Sequence, residues 1–194
     1  MRLQIHDQKG MYFLTFTIVD WIDLFTRPVY AEILLDSMRF CQTKKGLIVY
    51  AYVIMPSHLH LIFQSEGESG LSKVIQNLRS YTARQIVDYA KNRAQPESRR
   101  EWLLHKFAFN AKKNRTNSKH QVWKKGSYPV YLYSPWMIRQ KLNYIHQNPV
   151  KARIVNLPEH YVFSSASNYE SGEGELKVTL LEDIWDDIGY IDLS

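Results

Sequence analysis

The chain has 194 residues, 45% of them apolar and 23% charged, proportions that exclude disordered, collagen-like and low-complexity classes. A lone cysteine, Cys41, cannot form an intrachain disulfide, and no secretory leader pattern opens the chain. No apolar run reaches the roughly 20 residues a bilayer span needs, so a cytoplasmic protein with no membrane association is expected. The formal charge of +6 is unevenly spread. From Glu170 onward eight acids face only Lys177, a net −7, which leaves 24 bases against 11 acids, a net +13, in the first 169 residues.

In chain order, Met11 to Val19 (MYFLTFTIV) is an apolar, β-branched and aromatic run with Thr at alternate positions, as in a buried strand. Pro28 suits a first helical turn, and Val29, Ile33, Leu34, Met38 and Cys41 recur at helical spacing up to Lys44, with Gly46 as the stop. Leu47 to Met55 (LIVYAYVIM) is the strongest strand signal, and Pro56-Ser57 leads straight into His58 to Gln64, which predicts an antiparallel hairpin. Ser69 and Gly70 open a helix with Leu71, Val74, Ile75, Leu78, Ile86 and Val87 on one face, running towards Asn92. The next strand is expected within Gln121 to Tyr133. Ser134 as N-cap and Pro135 at N1 begin a last helix through Trp136, Ile138, Leu142 and Ile145, expected to end before Pro149. A short terminal element is expected within Leu176 to Trp185. The order predicts an α+β domain with a ferredoxin-like (split βαβ) antiparallel sheet and helices packed on one face, spanning residues 1–170, with residues 171–194 as an acidic C-terminal extension.

Between Lys91 and Lys125 there are 11 bases against Glu97 and Glu101, interleaved with Trp102, Phe107, Phe109 and Trp123. Bases among rings suit phosphates and stacked unpaired nucleotides, although some of these rings must be core. Arg79, Arg84, Arg99, Arg100, Lys112, Lys113, Arg115, Lys124 and Lys125 are the candidates for a nucleic-acid-binding face. Two further patterns carry possible chemistry. His58 and His60, one residue apart on a strand, project from one face and could hold a divalent cation if a third ligand arrives from elsewhere. Tyr144 and Asn148, four apart on a helix, share a face and would present a phenol beside an amide oxygen. The plainer accounts are half-exposed strand histidines, a Tyr packed on the sheet, and an Asn capping the helix before Pro149.

Taken together, Met55-Pro56-Ser57-His58-Leu59-His60-Leu61, Val122-Trp123-Lys124-Lys125-Gly126, Tyr144-Ile145-His146-Gln147-Asn148-Pro149-Val150-Lys151-Ala152 and Ser164-Ser165 resemble the single-tyrosine HUH transposases. The pattern looks most like their REP-associated tyrosine branch and runs from about Tyr12 to about Tyr169. The resemblance implies that His58, His60 and Asn148 bind a metal, Mg2+ or Mn2+, and that Tyr144 is the nucleophile. It implies metal-dependent cleavage and strand transfer of single-stranded DNA through a 5′-phosphotyrosine intermediate, at hairpin or palindromic structures, by a monomer or homodimer. His146, about 200° around the helix from Tyr144, is read as surface or core. Tyr128, Tyr131, Tyr133, Tyr161 and Tyr169 compete less well for the nucleophile role because none lies four residues before a helical ligand candidate. The alternative is a non-catalytic single-stranded DNA or RNA binding module on a ferredoxin-like sheet, which would carry stacking rings where this strand carries histidines.

Overall fold

The computed structural model describes residues 5–115 and 118–181. Its four strands are β1 (Tyr12–Thr17), β2 (Leu47–Met55), β3 (His58–Ser65) and β4 (Val130–Tyr131). They form one antiparallel sheet in the order β2-β3-β1-β4, the ferredoxin-like arrangement the element order predicts. Helices α1 (Pro28–Lys45) and α2 (Leu71–Lys91) return the chain between strands. Beyond them lie α3 (Arg100–Lys113), α4 (Pro135–Lys151) and the short α5 (Ala166–Ser171). No helix among the described residues is long and apolar enough to cross a membrane.

Strand alternation divides the core in two. Leu14 and Phe16 of β1, Tyr52 and Ile54 of β2 and Leu59, Leu61 and Phe63 of β3 join Leu34, Met38, Val74, Leu78 and Phe107 beneath α1, α2 and α3. The opposite residues, Phe13, Ala51, Val53 and Ile62, pack with Ile138, Leu142 and Ile145 of α4. Helices on one face thus hold for α1 and α2, whereas α4 lies across the other face because its own apolar stripe needs a partner. That second face is the one carrying His58 and His60.

Two expectations change in detail, and one helix is added to them. The strand expected within 121–133 is reduced to Val130–Tyr131 and one bridge, Trp123 to Ile18, because Gly126 turns the chain at φ 86 and Pro129 removes a ladder donor. Helix α3 fills part of the basic stretch, where charge obscures a short apolar face of Leu103, Phe107 and Ala111. Helix α4 does not stop before Pro149 but continues to Lys151 with Pro149 buried in its last turn, where only one intrahelical donor is lost.

The outer edge of β2 is covered by later chain: Phe163 O accepts from Ile54 N, Ser165 N donates to Tyr52 O, and Thr179 N donates to Val49 O. Leu176 and Leu181 are buried on either side of that edge, so the acidic segment is packed as far as Leu181 without forming a helix or strand. The remainder of the expected terminal element lies outside the described residues.

Candidate active site

Register places Thr15 of β1 beside His60 and Thr17 beside His58, with Val53 and Met55 of β2 on the other flank. Both imidazoles therefore face α4, their ring centres 4.7 Å apart. His60 is only 4% exposed, and Phe13 stacks on it at 5.6 Å. Its Nδ1 is 2.8 Å from Thr15 Oγ1 and its Nε2 is 3.3 Å from the Tyr144 hydroxyl. With the proton on Nδ1, His60 donates to Thr15 and its Nε2 lone pair accepts from Tyr144. The same tautomer leaves that lone pair suited to a cation, as in metal sites where an outer-sphere oxygen orients the ligand. His58 is half-buried, with Ser57 Oγ 3.1 Å from its Nδ1.

Electrostatics keep both rings neutral. Burial pushes the His60 pKa down to about 3, reinforced by His58 and by Lys141, and burial lowers His58 as well. Neutral imidazoles are the form that ligates a metal. Among the described residues no cluster of three His, Cys, Asp or Glu could hold an ion. The donor set of two imidazoles and an amide fits a divalent cation chemically but brings no negative charge of its own, which leaves room for a phosphate to supply it.

Tyr144 projects from the middle of α4, 39% exposed, with its ring 5.0 Å from His60 and edge-on to Phe13 at 5.9 Å. Lys141 Nζ lies 4.8 Å from the Phe13 ring centre and 5.7 Å from that of Tyr144. Because α4 runs on to an Ala152 C-cap, Asn148 is an interior helical residue and not the cap the plainer account makes it. It is partly exposed one turn beyond Tyr144. A groove of about 550 Å³ on this side is lined by Trp136, Arg139, Lys141, Asn143, Tyr144 and Lys151. Arg139, Lys141 and Lys151 are not among the cations singled out from the sequence, because they are spread along a helix and form no dense basic run.

The nine basic candidates divide. Arg84 lines a second cavity of about 580 Å³ with Arg79, Lys91, His120 and Trp123. Arg79 is also tied into the fold, its guanidinium over Phe16 at 5.4 Å and donating to Lys124 O. Arg99 pairs with Asp23 at 3.1 Å and with buried Glu97, and Arg100 donates to Asn92 O and Gln95 O, so both hold the loop before α3. Lys112, Lys113 and Arg115 are exposed at the end of α3, Lys125 donates to Asn114 O, and Lys124 lies over the Trp21 ring. His146 is turned to the protein interior, its Nε2 2.9 Å from Ser165 Oγ and its ring against Tyr169, with burial lowering its pKa to about 4. Thr15 and Trp21, both at the histidine pair, were not singled out from the sequence.

The family model described as Transposase IS200 like matches residues 12–121. The chain belongs to this transposase family. Membership bears out the resemblance read from the motifs and makes the class of activity DNA transposition, with DNA-cleaving chemistry and a general use of divalent metal. The matched residues include His58 and His60 but stop before α4. Among solved structures, the chain is similar to a REP-associated tyrosine transposase bound to a REP hairpin, with 14% identity, a TM-score of 0.61, and 89% of this chain and 86% of that one covered. This likeness supports the fold across α4 as well. It is also similar to a candidate transposase from Deinococcus radiodurans R1, at 18% identity and a TM-score of 0.43, over 75% of this chain and 98% of that one. No curated protein sequence matches the chain.

Proposed function

We propose that the chain cleaves single-stranded DNA and transfers strands through a 5′-phosphotyrosine at Tyr144, with His58, His60 and Asn148 holding a Mg2+ or Mn2+ ion. The observation carrying this reading is the Tyr144 hydroxyl 3.3 Å from Nε2 of a buried, neutral His60. A phenol has no structural need to sit half-exposed at that point.

When bound, the cation supplies Lewis acidity to a non-bridging phosphate oxygen. The protein does the rest. Thr15 fixes the His60 ring, and α4 carries the phenol to the same place. Lys141 puts positive charge where a phosphate must sit. The phenol releases its proton to solvent, which its exposure permits, since the Nε2 lone pair of His60 is committed to the cation. The phenolate attacks phosphorus, a P–O bond forms to Tyr144, and the bond to the 3′ oxygen breaks, that oxygen taking a proton from solvent to leave a free 3′-hydroxyl. Because the ester is retained on the enzyme, a 3′-hydroxyl from another strand can attack it, expel the phenolate and rejoin DNA without ATP.

A side chain on a helix lying against a sheet cannot easily reach a phosphate inside stacked duplex, so unpaired DNA beside a hairpin is the expected substrate. The fold likeness to a protein described in complex with a REP hairpin supports this choice. The test is incubation of a hairpin oligonucleotide with Mn2+, followed by a denaturing gel for a covalent protein–DNA product. Tyr144→Phe should abolish the product while leaving DNA affinity near normal, and His58→Ala or EDTA should abolish it too. Product formation in EDTA, or by Tyr144→Phe, would reject the proposal. Tight DNA or RNA binding with no product under any metal would favour the binding-module alternative.

A further inference from the structure

The turn after β1 is strained in an unusual way. Asp20 (φ 54, ψ 18) and Trp21 (φ 55) are consecutive non-glycine residues in the left-handed region, which costs a bulky side chain such as Trp most. Such strain persists only when the surroundings impose it, and here they do. Ile18 N donates to Ser57 O and Val19 N to Val122 O, while Trp21 N closes the turn on Ile18 O. From α3, buried Asn110 donates to the Asp20 carboxylate at 3.0 Å, and Lys106 lies 3.7 Å from it. Yet the side chain so positioned is not buried, for Trp21 is 58% exposed. Its indole meets His58 edge-on at 5.8 Å, and Lys124 Nζ lies 5.5 Å from its ring centre. Lys124, Trp21, His58, His60 and Tyr144 thus form one row, each side chain in contact range of the next.

Core packing does not explain a strained turn that exports its largest ring, and a single exposed cation–π contact is weak. We infer that Trp21 is a stacking shelf for one unpaired nucleobase of the DNA strand next to the scissile phosphate, with Lys124 taking an adjoining phosphate. The inference rests on the reading of the histidine pair and Tyr144 as a DNA-cleaving centre. A base has the flat π-face an indole accepts, and the ammonium over the ring matches the charge of the backbone that carries it. Helix α3 acquires a role as the clamp that holds the shelf through Asn110 and Asp20.

The experiment measures binding of hairpin oligonucleotides with single-stranded flanks by fluorescence anisotropy, in the full chain carrying Tyr144→Phe so that no cleavage intervenes. Adding Trp21→Ala should weaken binding about tenfold, the scale of one lost base–aromatic stack, and Trp21→Phe should restore most of it. An abasic site placed at one flank position should weaken the Trp21 protein by a similar factor and cause no further loss in Trp21→Ala. Trp21→Gly relieves the left-handed strain, so its Tm should hold or rise while its binding falls. Unchanged binding by Trp21→Ala, equal abasic losses in both proteins at every position, or a fall in Tm for Trp21→Gly would overturn the inference. No binding of any single-stranded substrate by the Tyr144→Phe parent would reject the DNA-cleaving reading itself.

Discussion

His146 and Tyr144 are two residues apart on α4 and face opposite environments. Tyr144 turns to the histidine pair and the groove, whereas His146 points inward to Ser165, whose hydroxyl also accepts from Tyr52 N on β2. His146 thus anchors the helix to the sheet edge as a neutral ring. Its pKa is about 4 in the folded chain against 6.5 ordinarily, so the unfolded chain takes up the proton first as pH falls. Stability from this site is complete above about pH 6.5 and declines towards pH 4, by about 3 kcal/mol in all. Tm measured against pH should fall across that window, and His146→Gln should flatten the part due to this residue. A profile of unchanged steepness in the variant would contradict the anchoring role. The sequence showed that His146 and Tyr144 point apart, from helical periodicity alone, and the histidine pair from strand alternation. It did not show Thr15, because a cross-strand partner depends on register, nor Trp21, because a left-handed turn at Asp-Trp has no residue signature of its own.

At the level of elements, α1, β2, β3 and α2 were legible nearly to the residue because strong apolar periodicity is closed by punctuation. Gly46 is one such mark: at φ 65, an added Cβ would sit 2.6 Å from Gly67 N. β4 and α3 were harder, since a two-residue strand and a helix rich in Lys and Arg carry little pattern. Helix α4 ran past Pro149 because a last-turn Pro forfeits only one hydrogen bond and is buried. On charge alone the C-terminal strap along β2 resembles an appendage, and its two leucines show what charge conceals. Leu176 and Leu181 are 1% and 3% exposed. At about 2 kcal/mol for each buried Leu, truncation after Ser171 should cost about 4 kcal/mol, a drop in Tm of roughly 10 °C for a chain of this size. A truncated protein melting with the full chain would show that the strap adds nothing.

For the molecule as a whole, charge separates along the chain, and a subset of the described cations flanks the proposed site and the second cavity. Arg139, Lys141 and Lys151 line the groove at Tyr144, Lys124 stands at the other end of the histidine row, and Arg79, Arg84 and Lys91 line the second cavity. Binding should therefore weaken steeply with salt. The residues after Leu181 bring five acids and no base, and one hypothesis is that they compete with DNA for these cations. Truncation after Leu181 leaves the strap intact and should tighten single-strand binding at low salt, an effect that fades as salt is raised. Equal affinity of the two proteins at low salt would reject the competition. Competition or none, the central claim is that one particular phenol carries the DNA. The most direct measurement is mass mapping of peptides from the covalent product formed with a hairpin oligonucleotide and Mn2+. The nucleotide should lie on the peptide holding Tyr144, attached through a 5′ phosphate. A nucleotide on a peptide holding Tyr128, Tyr131, Tyr133, Tyr161 or Tyr169, with Tyr144 unmodified, would contradict it.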